Sequence, residues 1–328
     1  MSRLFAAEWS RLFSRRITLI TSLLVGTMLV FLAFGFTLSG SAPTNDEIAS
    51  AKERAVSLGQ LWDERTEHCG RVQSGLEQAQ PGEDLPRGCD YGPRPTQDSL
   101  LDYGFSFHRQ WPNLYYGAAV LFALAGFVLG ASFVGVEWSS GGMASLLLWA
   151  PRRGHVLGAK LLAALAGVGL LSIVYLTLWT GAFMVIAAGN GTVSQMSAGE
   201  FGSVLLTALR VVFIAMAGTA LGFSVASIGR HTSAALGVGI TYLLLWEFGS
   251  TVVFTVMGTE DYAEPYRLSS WARAWLQKGI QATEANPATG VAKSTFHASW
   301  EQGGLVVLVV AIAVAAAAFV SMNRRDAR

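Results

Sequence analysis

The chain has 328 residues, of which 52% are hydrophobic and only 14% charged, with a formal net charge of +1. This composition excludes an ordinary soluble domain, which needs more polar surface to face water, and no basic excess marks a nucleic-acid partner. A helix that crosses ~30 Å of hydrocarbon needs about 20 mostly apolar residues. Six stretches meet that requirement: 17–38, 114–136, 156–188, 203–228, 234–257 and 304–322. They are apolar on every side, whereas barrel strands would alternate at every second residue. The expected fold class is therefore an all-α polytopic membrane protein with six transmembrane helices.

Residues 1–16 come first. Leu4, Phe5, Trp9, Leu12 and Phe13 share one helical face, with Arg3, Glu8, Arg11 and Arg15 on the others. A short basic amphipathic helix next to a span fits the membrane interface. Arg15-Arg16 faintly resembles a twin-arginine signal. The apolar run that follows is too long for a cleaved signal, so it reads as an uncleaved first span.

The loop 39–113 is expected to form an extracellular loop domain. Thr44-Asn45-Asp46-Glu47 fits a capping box, and Ile48, Ala51, Ala55, Leu58 and Trp62 follow at helical spacing, predicting a helix over 45–67. Cys69 and Cys89 both fall in this loop, and in an oxidising exterior a disulfide is the natural reading, with two free thiols as the alternative. No His or Cys partners stand at metal-ligand spacing, so no metal site is expected.

Inside the spans, small residues recur four apart: Gly126 and Gly130, Ala163 and Gly167, Gly218 and Gly222. Such spacing lets helices approach closely. Two ionisable residues, Arg210 in the fourth span and Glu247 in the fifth, lie at similar depths. An intramembrane charge is costly, so they are expected either to pair with each other or to mark a polar point in a substrate path. In the segment 258–303, Tyr266, Trp271, Trp275, Leu276 and Ile280 beside Arg267, Arg273 and Lys278 predict an amphipathic helix. It would lie in the interface or pack on the protein. Asn190-Gly191-Thr192 matches a glycosylation sequon by chance.

Charge is unevenly distributed. The segments 1–16, 137–160, 229–233 and 323–328 carry 11 Lys+Arg against 3 Asp+Glu, and the loops 39–113 and 258–303 carry 11 against 17. Cations close to span ends in short loops set orientation, which places both termini in the cytoplasm of a bacterial-type cell membrane.

The turn between the second and third spans carries the most specific pattern. It reads Glu137-Trp138-Ser139-Ser140-Gly141-Gly142-Met143, then Leu146-Leu147-Leu148-Trp149, then Pro151-Arg152-Arg153, and Gly158-Ala159-Lys160 opens the third span. This is a span ending in a carboxylate, a glycine break, a short apolar helix stopped by proline, and basic residues at re-entry. An exposed apolar helix needs a cover, and a soluble partner is the obvious one. The pattern resembles the permease subunits of type-2 ABC transporters, in layout over nearly the whole chain and in motif over 137–160; it departs at Gly142 and in the size of the loop 39–113.

The resemblance implies that 137–155 holds a coupling helix, over 139–150, that docks on a separate ATP-hydrolysing subunit. The ATPase-coupling residues would be Glu137, Gly141, Gly142, Leu146, Leu147, Leu148, Pro151 and Arg152. It further implies two ATPase copies binding ATP and Mg, a second permease subunit identical or related to this one, and an apolar or amphipathic compound moved outward. The implied pathway between permeases, along spans one, two and five, makes Phe122, Phe127, Tyr242, Trp246 and Phe248 candidate lining residues. The chain itself has no ATP site: Gly154-His155-Val156-Leu157-Gly158-Ala159-Lys160 lacks phosphate-loop spacing. Its histidines are scattered, so no catalytic set, cofactor or metal site is expected. The alternatives are a membrane sensor that binds a ligand through its outer loop, and a secondary transporter that uses Arg210 and Glu247.

Overall fold

The computed structural model describes residues 2–38, 44–78, 89–100, 107–149, 152–189, 197–257, 260–285 and 292–324. Among the described residues, six helices are long and apolar enough to cross a membrane. They are α2 (Arg16–Leu38), α5 (Phe107–Ser139), α7 (Arg153–Gly189), α8 (Ala198–Gly229), the composite helix from α9 (Thr232–Thr241) to α10 (Gly249–Met257), and α12 (Trp300–Arg324). The shorter elements are α1 (Ser2–Ser14), α3 (Asn45–Gln73), α4 (Gln97–Leu100), α6 (Gly142–Trp149) and α11 (Leu268–Leu276). The chain is thus an all-α polytopic membrane protein. It divides into two compact units, one of Met1–Ala33, Arg109–Ala182 and Met196–Arg328, the other of Phe34–His108 with Phe183–Gln195.

In the larger unit α5 and α8 cross at van der Waals contact. The two glycine pairs face each other: a Cβ on Gly126 would lie 2.6 Å from the Ala215 carbonyl oxygen, and one on Gly218 would meet the Ala123 carbonyl. Gly130 and Gly222 meet Thr219 and Phe127 in the same way. The spacing of four residues on both helices puts backbone against backbone, the means by which spans associate where lipid competes for every apolar side chain. The third small-residue pair serves another purpose. Ala163 is buried, and Gly167 faces the side chain of Leu12, which lets α1 lie against α7.

The fifth span departs from a uniform helix. α9 (Thr232–Thr241) and α10 (Gly249–Met257) are joined by a π-helical stretch, Tyr242–Phe248. The segment after it also differs from the expected single amphipathic helix. A 3₁₀ turn covers Glu260–Tyr266, α11 follows, Lys278 turns left-handed (φ 65°), and an antiparallel hairpin pairs β1 (Gly279–Ala285) with β2 (Ala292–Ser299). Ile280 therefore lies on a strand, opposite Ala298. The aromatic face of α11 packs on protein. Trp271 meets Phe296 edge-on, and Trp275 contacts Phe213 and Trp300. Gly303 and Gly304 of α12 leave room for α11, since a Cβ on Gly303 would lie 2.8 Å from the Trp275 amide nitrogen.

In the smaller unit α3 begins at the capping box, with Thr44 and Glu47 bonded reciprocally. A disulfide links Cys69 to Cys89. Arg94 grips Asp63 with two hydrogen bonds (3.0 and 2.6 Å), and Trp62 Nε1 donates to the Gly92 carbonyl. Arg71 and His68 both approach Glu77. The hydrogen bond from Arg94 holds Asp63 below its ordinary pKa, and that from Arg71 does the same for Glu77. A lowered carboxylate pKa favours the folded unit at neutral pH, and this contribution is lost as pH falls below the ordinary carboxylate range. Both groups are exposed, so the effect is small. The disulfide contributes more. Cys69→Ser in the full chain is expected to lower the protection of α3 by roughly 3 kcal/mol, read by amide hydrogen exchange; unchanged protection would show that the link constrains nothing.

Candidate functional site

The candidate site grows from the end of α5. The helix stops at Ser139, and Gly141 adopts φ +74°, a left-handed conformation that glycine takes without cost. The chain reverses there and enters α6, eight residues long against the twelve expected. Met143 is fully buried among Leu12, Phe133, Val134, Val156 and Leu157, and Leu146 packs against the same cluster. The other side of α6 is bare, with Leu148 85% exposed. Among the other candidate coupling residues, Gly142 opens α6 and Arg152 is exposed. The Leu147 side chain and Pro151 lie outside what is described.

Beneath α6 sits a cluster of alternating charges. Lys160, from the first turns of α7, is completely buried. Its Nζ donates to Glu137 Oε2 at 2.5 Å and to Glu8 Oε2 at 2.6 Å, and lies 5.4 Å from the centre of the Phe133 ring. Glu8, from α1, is buried too and accepts from Arg11 at 3.1 Å. Glu137 accepts from Arg15 Nη2 at 2.7 Å. Arg15 occupies the break between α1 and α2, stacks on Phe133, and donates through Nη1 to the carbonyl oxygens of Ser132 and Phe133. Five charged side chains thereby tie α1, the α1–α2 junction, α5 and α7 together at the foot of α6. A depression of about 380 Å³ beside it is lined by Arg11, Glu137, Gly142, Ser145 and Leu146.

Glu8 was expected on the polar face of α1; the structure buries it. The signal was in the sequence, because Leu4, Glu8 and Leu12 are four apart and so share a face. An acid inside an apolar stripe needs a buried cation, and Lys160 supplies it.

Arg210 and Glu247 are not brought together. Arg210 is buried between indoles, 5.3 Å from the Trp275 ring centre and 5.0 Å from that of Trp300. Trp275 Nε1 in turn donates to the Arg210 carbonyl. Glu247 accepts from the Tyr242 hydroxyl (2.6 Å), the Ser269 hydroxyl (2.5 Å) and the Ser269 amide (3.3 Å). The reason is local geometry. The wide π-helical turn puts residues five apart on one face, so Tyr242 and Glu247 meet, and both point at the N-terminus of α11, where unpaired amides attract a carboxylate.

The candidate pathway residues separate into two groups. Phe122 is buried beside Ser22 and Tyr175, and Phe127 packs against Gly222 and Gly239, so both serve packing. Tyr242 and Phe248 line an open groove, and Trp246 donates to the Tyr266 carbonyl.

The family model described as "ABC-2 family transporter protein" matches residues 4–327, so the chain belongs to that family. No curated protein and no solved structure gives a significant match.

The buried charges are easily unbalanced. Lys160→Met leaves the buried Glu8 and the half-buried Glu137 without their shared cation and is expected to destabilise the protein by about 3 kcal/mol. The double change with Glu8→Gln should recover part of that loss. Thermal unfolding in detergent measures both, and a single variant as stable as the parent would show that the ion pairs contribute nothing.

Proposed function

We propose that this ABC-2 family member is the membrane-spanning permease subunit of an ATP-driven exporter for apolar or amphipathic compounds, with α6 as its coupling helix. The supporting observation is the two-sidedness of α6. One face is anchored through Met143 and Leu146 in the apolar cluster, and the other presents Leu148 to solvent. An exposed leucine on a rigidly anchored helix is suited to enter a pocket on a partner. The partner in this reading is an ATP-binding cassette ATPase, two copies of which bind ATP and Mg and serve two permease subunits. The permease contributes no catalytic group of its own. Both termini and α6 face the cytoplasm of a bacterial-type membrane, as the cation distribution favours.

In the mechanism, ATP binding closes the ATPase pair and displaces α6. The displacement passes to three elements together, because Lys160 joins Glu8 of α1 to Glu137 of α5 and is itself part of α7. Arg15 adds the start of α2 through the Ser132 and Phe133 carbonyls.

Leu148→Asp is expected to weaken co-purification with a co-expressed ATP-binding cassette ATPase by at least about tenfold, since a buried charge at a contact centre costs 2 kcal/mol or more. The permease alone should keep its stability within about 0.5 kcal/mol, as an exposed site allows. Full association of the variant would overturn the docking role of α6.

A further inference from the structure

A groove of about 480 Å³ lies beside the π-helical stretch. Its wall is apolar, built from Val120 and Leu124 of α5, Ile214 and Leu221 of α8, and Leu276 and Val307. One edge is charged and carries Glu247, Glu264, Arg267 and Arg273. Glu264 and Arg273 neutralise each other at 2.7 Å. Glu247 and Arg267 differ, since neither enters an ion pair among the described residues. Glu247 is held by neutral donors of Tyr242 and Ser269. Arg267 donates through Nε to the Ser250 hydroxyl at 3.0 Å, which leaves its terminal amino groups open.

Two opposite charges that share an apolar-walled groove gain by meeting each other, the more so where water is scarce. Here each is instead fixed by neutral hydrogen bonds and kept apart from the other. That arrangement complements a molecule that brings both signs and an apolar body. An ammonium group satisfies Glu247, a phosphate accepts from the fork of Arg267, and a hydrocarbon chain covers the α5–α8 wall. A purely anionic amphiphile would leave Glu247 uncompensated. We propose that this groove binds a zwitterionic amphiphile with a phosphate and an ammonium group in its head and a hydrocarbon tail. The same chemistry belongs to a resident membrane lipid and to a transported amphiphile.

The probes are tail-labelled lysophosphatidylethanolamine and the equally tailed lysophosphatidylglycerol, whose head is anionic only. Binding to the purified permease, without any ATPase, is followed by fluorescence polarisation. The site is thereby tested separately from the coupling role of α6. The wild type is expected to prefer the zwitterion by about tenfold, a factor typical of one well-placed charge contact. Glu247→Gln should abolish the preference, and Arg267→Gln should weaken both probes. Glu247 also holds the start of α11, so Leu124→Trp, which fills the wall and touches no charge, provides an independent variant that should weaken both probes. Equal binding of the two probes by the wild type, or undiminished binding to Leu124→Trp, would overturn the proposal. With the ATPase co-reconstituted in vesicles, ATP-dependent relocation of the bound probe identifies it as cargo, and binding that persists without relocation identifies it as a resident lipid; both outcomes support the site.

Discussion

A completely buried lysine governs one end of this protein. An ammonium group removed from water is tolerated only where carboxylates and further hydrogen bonds replace the lost hydration. Lys160 draws its two carboxylates from different elements, Glu8 of α1 and Glu137 of α5. The position of α1 follows from that requirement. With Glu8 fixed, Leu12 falls against Gly167, and the chain must break before α2, where Arg15 occupies the gap. A well-packed apolar cluster at this place could be as stable. The ion pairs make the arrangement unique, because only one register of α1 brings an acid to Lys160.

The opposite end of the bundle is held by weaker and more varied means. Arg210 has the faces of two indoles instead of a carboxylate, and α11 is fixed by hydroxyls, a carboxylate on its first amides, and a close approach to Gly303. Between the two ends the glycine faces of α5 and α8 supply rigid contact. These features share a physical basis. In a chain surrounded by lipid, apolar burial favours no helix pair over another, so charges, indole rings and backbone contact choose the partners.

What could be read in the sequence divides along the same line. The six spans were legible because hydropathy is local, and the capping box at Thr44 and the glycine pairs were legible because each is a spacing within one segment. The hairpin Gly279–Ala285 with Ala292–Ser299 was not. Its pairing depends on residues that local helical periodicity does not compare, and the aromatic residues before it favoured one continuous helix. Arg210 and Glu247 show the limit most clearly. Counting residues from the span ends gave nearly equal depth, but depth is one coordinate. Direction around the helix axis is another, and the π-helical turn that redirects Glu247 leaves no mark in composition. Glu8 is the opposite case, since its place at four-residue spacing between Leu4 and Leu12 already marked it as inward-facing.

The contrast between the ends bears on how a transport cycle could run. A displacement of α6 meets a cluster in which every charge has an opposite partner close by, so α1, α5 and α7 respond as one body. Rearrangement must then occur where side chains are exposed and contacts exchangeable. The fifth span from Tyr242 to Met257, in which no residue is buried, has that character. Its π-helical turn is already off the α-helical ladder, and Glu247 can exchange neutral donors for a ligand's ammonium group without leaving a carboxylate bare. If α11 moves as the bundle tilts, Arg210 keeps its indole contacts through a face-on interaction that tolerates sliding better than a directional hydrogen bond does. On the proposed reading, an ionic clamp at the α6 end and an aromatic seat at the α11 end give the two halves of such a cycle, force entry and ligand handling, to different ends of the same helices.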